Sequence, residues 1–368
     1  MAYVLVKEAF TYDKDVLKPL IFEMLEAVDQ NGIRPGSKVL IKPNLLMPAG
    51  PEQAVTTHPL IVRSVVEYVL EKGGHPQVSD SPVVGDLKKV FKQGGYIDAL
   101  QGLDVTLKAF EASAKIDVGE PFGTIEVARD ALEADAIINL PKLKTHAQML
   151  LTLGVKNMFG CIVGLRKPQW HMRAGVDRQM FAKLLVRIYE ALAPSITLMD
   201  GILALEGQGP GKTGSPRSLD MLIASGNAHA VDKVVCLLLG LDAMRLATCR
   251  QAAGMGVFDG EAKVNGNLSI VYDFSLPEKG PLTFGPAFLA RFVRRFAIQR
   301  PRPDRRLCRL CGECWNICPA KAINYSNRRI AIDYAKCIRC YCCIEICPYA
   351  AIRAKQPLIG KILQRLMR

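Results

Sequence analysis

Nowhere in this 368-residue sequence does an apolar run approach the roughly 18 residues a membrane-spanning helix needs; the strongest, Val234 to Leu241, is far too short. The first residues, Met1 to Val6, enter a strand pattern directly, without a basic leader, a long apolar stretch or a small-residue cleavage site. The expectation is therefore a cytoplasmic chain. Histidine is scarce: His58, His75, His146, His171 and His229 are all there is, and their spacing offers no paired zinc ligands. Nucleotide fingerprints are missing as well. The glycine-rich stretch 206–214 has Glu206 where a Walker loop needs glycine, and Ser215-Pro216 follow it instead of a helix. That stretch is read as a flexible loop with Glu206 as a polar contributor. No flavin or nicotinamide motif is visible.

Apolar residues make up 49% and charged residues 23%, a composition that excludes wholesale disorder, collagen and coiled coil. At about 150 residues per domain the length allows two or three domains. The net charge of +13 is unevenly spread: residues 1–290 carry −1, residues 291–306 carry +6, residues 307–352 carry +3 and residues 353–368 carry +5. A surplus confined to the last fifth suggests a local docking face. Nucleic acid is the weakest partner, because no recognition motif accompanies the charge.

Cysteine is where the sequence is rich. Eight of twelve fall in two copies of one pattern, Cys308-x2-Cys311-x2-Cys314-x3-Cys318-Pro319 and Cys337-x2-Cys340-x2-Cys343-x3-Cys347-Pro348. This is the bacterial ferredoxin run, in which the fourth cysteine of each copy ligates the other cluster. The spacing assigns Cys308, Cys311, Cys314 and Cys347 to one [4Fe–4S] cluster and Cys337, Cys340, Cys343 and Cys318 to a second. Disulfides do not suit a cytosolic chain, and zinc knuckles use pairs rather than triplets of cysteine. Cys342, between two ligands, reads as a bystander thiol; Cys161, Cys236 and Cys249 read as small core residues.

Residues 1–285 alternate strand-like and helix-like stretches, the pattern of an α/β domain with a mostly parallel sheet. Residues 305–352 form a small α+β ferredoxin-like dicluster domain. Strands are expected at Tyr3–Val6, Lys38–Ile41, Gln77–Ser79, Ala134–Leu140, Ile196–Met199 and Leu219–Ala224, with helices at 16–28, 59–70, 177–193 and 232–239. His58, beside Pro59, is read as capping or packing at a helix start. Open α/β sheets bind ligands beyond the carboxyl ends of their strands. Lys42, Asp80, Lys142, Lys144, His146 and Asp200 all fall there, the 141–146 stretch being read as a strand-end loop.

The segments Lys42-Pro43-Asn44, 141–146, Gly154 to Gly160, Asp200-Gly201-Ile202 and Glu206 to Pro210 resemble the domain-of-unknown-function family 362, over roughly residues 38–240. Members are often fused to a two-cluster ferredoxin module and labelled iron–sulfur centre proteins. The resemblance implies a common site drawing on Lys42, Lys142, Lys144, His146, Lys156 and Asn157, with Asn44, Asp80, Asp200 and Glu206 as further substrate candidates. Such a basic cluster suits a small anionic or carbonyl-bearing substrate.

Two basic amphipathic stretches flank the cluster module. One spans 286–304, and Gln299 to Arg306 reads as the linker that leads from it into the clusters; the other is the tail 353–368. They either pack on their own protein or meet a membrane surface or an acidic protein. The leading expectation is an iron–sulfur oxidoreductase: a redox partner protein supplies electrons, two clusters conduct them, and Lys42, Lys142, Lys144 and His146 act on substrate. The alternative is a non-catalytic electron carrier or maturation factor whose α/β domain docks a partner. In a third reading the clusters are structural.

Overall fold

The computed structural model describes residues 1–29, 32–82, 86–164, 166–174, 177–277, 299–326, 328–355 and 357. Most of both basic amphipathic stretches, residues 286–298 and 358–368, lies outside the described residues.

Strands β1 (Ala2–Glu8), β2 (Lys38–Pro43), β3 (His75–Asp80), β4 (Thr106–Ala109), β5 (Ser113–Asp117), β6 (Thr124–Ala128), β7 (Ala136–Leu140), β8 (Lys142–His146), β9 (Leu150–Thr152), β10 (Ile196–Gly207), β11 (Gly214–Ser225) and β12 (Ala262–Asn265) belong to the N-terminal domain. Apart from the β5–β6 hairpin they form one mixed sheet in the order β12-β1-β11-β10-β7-β2-β3-β4. The run β7-β2-β3-β4 is parallel throughout, and β11 is antiparallel to both β1 and β10. Alternation along the strands sends side chains to two cores. Leu5, Val39, Ile41, Ile138, Leu140 and Leu222 pack under helices α1 (Lys14–Val28) and α2 (Pro59–Glu71). Val4, Val6, Leu40, Ile137 and Ile223 pack under α3 (Arg178–Leu192) and α4 (Ala228–Leu238). Fully burying each such side chain contributes roughly 1.5–3 kcal/mol. α1 is capped by Asp13, which accepts from Asp15 N and Val16 N. α2 starts with Pro59 behind His58, whose Nδ1 accepts from Leu60 N.

Three expectations change on contact with the structure. The 141–146 stretch is not a loop: after Pro141 the chain re-enters the sheet as β8, parallel to β10 and antiparallel to β9. Its lysines are tolerated inside because each amino group finds oxygen partners there. Asp200 is not at a strand end, because β10 runs on to Gly207. The expected linker after residue 299 contains a strand, β13 (Arg300–Pro303), antiparallel to β16 (Ile352–Lys355). A two-stranded ribbon has only edges, where Pro301 and Pro303 cost no ladder hydrogen bond.

The ferredoxin-like domain adds the hairpin β14 (Ile323–Ser326) and β15 (Arg329–Ile332) and two single-turn helices, Glu313–Asn316 and Cys342–Glu345. It packs on the larger domain through a third core in which Met47, Ala49 and Val55 meet Ile317, Ile344, Ile346 and Ile352.

Candidate functional site

Two clefts in the ferredoxin-like domain are walled by cysteines. Cys308, Cys311, Cys314 and Cys347 line one of about 310 Å³. Cys318, Cys337, Cys340 and Cys343, with Cys342, line another of about 340 Å³. Each cleft thus takes three thiols from one run and the last from the other. Leu310 and Gly312 in the first run, and Arg339 and Tyr341 in the second, are left-handed at φ 55°, 96°, 58° and 61°, which curls each loop round its cleft. Glycine adopts this backbone freely, whereas Tyr341 is tied down by its hydroxyl donating to Gln299 O at 2.8 Å. Ala322 N–H and Ala351 N–H donate to Sγ of Cys318 and Cys347 at 3.3 and 3.2 Å, a contact that tunes bound thiolate. Among the described residues, no three His, Cys, Asp or Glu side chains converge on one metal ion; the thiols instead surround a volume. That arrangement fits an iron–sulfur cluster held by four cysteines.

A third pocket, about 610 Å³ and partly open to solvent, lies where the two domains meet. Lys42 at the end of β2, Asp80 at the end of β3, Asn44, Lys156 and Asn157 line it from the larger domain. Ile317, Cys342 and Glu345 close it from the ferredoxin-like domain. Cys342 therefore stands between this pocket and the cleft of Cys337, Cys340 and Cys343. The carboxyl ends of parallel strands supply the floor, as the topology requires.

The polar groups divide sharply into paired and unpaired. Lys42 Nζ is 2.9 Å from Asp80 Oδ1 and donates to Pro43 O at 2.7 Å. Asp80 also accepts from Leu45 N and Ser81 N, both at 2.8 Å. Burial acts to raise its pKa, but Lys42 and Lys167 outweigh burial and hold Asp80 ionised below its usual range. Asn157 is a hub: its amide donates to Lys42 O and Asn139 Oδ1, and its Oδ1 accepts from Asn44 Nδ2. Behind it Lys144 Nζ donates to Asn44 Oδ1 at 2.7 Å and Val55 O at 2.6 Å. Burial, helped by Lys156, lowers its pKa well below a lysine's ordinary value. Lys167 donates to Ser81 O, and burial followed by Lys42 brings its pKa down to about 8, Asp80 opposing.

Four groups on the pocket wall lack a hydrogen-bond partner among the described residues, one of them Glu345 Oε1, which has His146 beside it. Thr152 Oγ1 and His171 Nδ1 are buried and unsatisfied, and Lys156 makes no hydrogen bond or ion pair, its pKa lowered by burial against the pull of Glu345. Buried polar groups left open in this way mark a ligand or solvent site.

His146 bridges the domains. Its Nδ1 accepts from Gln148 N and Met149 N at 3.1 Å each, which leaves the proton on Nε2. Nε2 lies 2.9 Å from Glu345 Oε1 without a linear hydrogen bond between them. Burial and Lys156 take the His146 pKa down to about 4, so the ring is neutral at pH 7. Glu345 is ionised: burial would raise it, but His146 and Lys156 hold it at about 2.

Not every candidate reaches the pocket. Lys142 Nζ is 2.7 Å from Asp200 Oδ2 and 3.1 Å from the Tyr12 hydroxyl Oη, while that hydroxyl donates to Asp200 Oδ1 and the Tyr12 ring stacks on His58. This cluster is closed on itself, and none of its members lines the pocket. Glu206 is held by Arg217 and Ser275 N on the β10–β11 hairpin. The tip of that hairpin does not hang free, because Gly211 comes against the Glu345 carbonyl. Sequence reasoning missed Thr152, Lys167, His171 and Glu345. Lys167 and His171 sit four apart on the helix Arg166–Ala174, a spacing that puts both on one face. Glu345 carries a charge where the first repeat has Asn316, a difference visible once the repeats are aligned.

Comparison with known proteins fits this layout. The domain of unknown function DUF362 matches residues 39–237, and a 4Fe-4S dicluster domain matches residues 300–348. The thylakoid-associated protein sll1697 of Synechocystis sp. is 38% identical over 276 residues, covering 73% of this chain and 86% of its own length. The lactate racemase apoprotein from Thermoanaerobacterium thermosaccharolyticum aligns at TM-score 0.37 and 10% identity over 62% of this chain, which spans 55% of that structure.

Proposed function

We propose, for a chain that belongs to the domain-of-unknown-function family 362 and carries a 4Fe–4S dicluster domain, that it is an oxidoreductase that reduces a small anionic or carbonyl-bearing substrate in the pocket of Lys42, Asp80 and Lys156. Two [4Fe–4S] clusters, one held by Cys308, Cys311, Cys314 and Cys347 and one by Cys318, Cys337, Cys340 and Cys343, supply single electrons. The observation that carries the reading is the shared wall: Cys342 borders both the second cysteine cleft and the pocket.

The residues divide the remaining work. Lys156, unpaired, takes the substrate's negative charge, and Thr152 Oγ1 and His171 Nδ1 are open to its polar atoms. Lys42 and Asp80 are locked to each other and shape the floor. Lys167, titrating near neutrality, holds the proton that a reduced product needs. Lys144, through Asn44, and His146, against Glu345, hold the wall in place. Ile317 and Phe159 narrow the pocket with apolar surface.

The test is anaerobic. The protein is reduced with dithionite, excess reductant is removed, and reoxidation of the clusters is followed by absorbance as metabolite fractions are added. Rapid reoxidation by one fraction, lost in Lys156→Met, is the expected result. Reoxidation by redox proteins alone, unchanged in Lys156→Met, would make the protein a carrier. The name of the Synechocystis relative adds a membrane surface to the candidate locations; no helix among the described residues is long and apolar enough to cross a membrane.

A further inference from the structure

We infer that the outer face of the β13–β16 ribbon, with the turn that follows β13, is the docking surface for an acidic soluble redox protein, which exchanges one electron at the edge of the first cysteine cleft. The inference rests on the electron-transfer reading above and adds where the partner binds and what charge it carries.

Four observations converge. The ribbon's buried side walls both cysteine clefts, with Ile352 lining the first and Pro301 the second. A partner seated on its outer side is one strand thickness from either. That outer side is built against itself: Arg302 faces Arg353 across the ladder, and Arg300 faces Lys355. Like charges directly opposed on two strands destabilise the pair, and among the described residues neither Arg302 nor Arg353 has an acidic partner. The charge continues into the turn, where Arg305, Arg306 and Arg309 are exposed and likewise make no ion pair. Asp304, the nearest carboxylate, accepts from Arg306 N within the turn. Finally, the first cleft holds the one exposed cysteine of the two runs. Cys311 is exposed, whereas Cys340, Cys342 and Cys343 are buried, and Cys342 also lines the third pocket. Residues 299–357 hold twelve Lys and Arg against four Asp and Glu.

The electron balance is simple: the partner's carrier loses one electron, the first cluster gains one, and no bond or proton moves. A face of this charge speeds and orients encounter with an acidic protein and is weakened by salt. An anionic lipid surface would meet the same arginines, but it would not explain why Arg309 lines the first cleft together with Cys311, the one exposed cysteine of the two runs.

The experiment measures binding of oxidised plant-type [2Fe–2S] ferredoxin, an acidic probe, to the cluster-loaded full chain by calorimetry at low and high salt. Two double variants are compared, Arg305→Glu/Arg306→Glu on this face and Arg328→Glu/Arg329→Glu on the β14–β15 turn, which change the net charge equally. The first is expected to weaken binding at least about tenfold and the second to leave it within about twofold. Equal loss in both, or no binding by the unaltered chain at low salt, overturns the assignment. So does a third outcome, in which Arg305→Glu/Arg306→Glu abolishes co-sedimentation with phosphatidylglycerol vesicles while ferredoxin binding persists. Lys156→Met is expected to bind ferredoxin normally, so a failure of the pocket reading and a failure of this one give different results.

Discussion

Residues of one type do opposite jobs in this protein, and their partners decide which. Lys142 and Lys156 both come from the lysine-rich segments that attract attention in the sequence. Lys142 is consumed by Asp200, 58 residues away, while Lys156 lines the pocket with no hydrogen bond or ion pair among the described residues. The sequence places Lys142 near the carboxyl edge of the sheet and Lys156 at the same site only by family resemblance, and it holds no local sign of which lysine meets a carboxylate, because that partner arrives through the topology. Lys167 makes the sharpest residue-scale prediction. Burial and Lys42 bring its pKa to about 8 from the ordinary lysine value near 10.5. It is charged below pH 8 and neutral above, so affinity for an anionic ligand should be full near pH 7 and fall as pH rises through 8. In Lys167→Met that inflection should vanish and affinity at pH 7 should drop about tenfold, a loss of roughly 1.4 kcal/mol. A titration of ligand affinity between pH 6 and 9 reads both.

At the scale of elements, the short helix Gly154–Asn157 and the 3-10 turn Met158–Cys161 carry more of the site than their length suggests. Asp232, from α4, accepts Gly154 N at 2.7 Å and Val155 N at 3.3 Å and so fixes where Lys156 and Asn157 stand. Burial raises its pKa to about 8 against those two bonds. At the far end Gly160 presses on the floor: a Cβ there would come within 2.4 Å of Asp80 Oδ1 and 2.5 Å of Lys42 Nζ. Gly160→Ala should therefore cost about 1–3 kcal/mol of stability, measured by denaturant unfolding, and abolish ligand binding by pushing apart the Lys42–Asp80 pair. The α/β alternation was legible in the sequence because period-2 and period-3.6 patterns are local. β8 was not: Pro141 and two lysines imitate a loop, and only the oxygens supplied by Asp200, Asn44 and Val55 make them admissible inside. The ribbon strand β13 was hidden likewise, since two prolines argue against a strand anywhere but at an edge.

At the scale of the whole molecule, the cysteine runs announced the second domain, but nothing in them announced how it sits. The docking depends on Met47, Ala49 and Val55, unremarkable in sequence, and on the His146–Glu345 contact, whose members are 199 residues apart. Met47 is fully buried in the interdomain core, so Met47→Asp should uncouple the two domains. Calorimetry should then show two separate unfolding transitions where the unaltered protein shows one, and hydrogen exchange should quicken across residues 342–347. The variant should keep both its iron and its sheet.

The pocket borrows one wall, Ile317, Cys342 and Glu345, from the cysteine-rich domain. Small domains of this kind gain much of their folding free energy from the metal they bind. A chain made when iron or sulfide is scarce is therefore expected to have its lysines, its sheet and an open trough, but no chamber. In the oxidoreductase proposed above, nutrient supply is thus written into the architecture as the last brick, and work begins only in a cell already able to lay it.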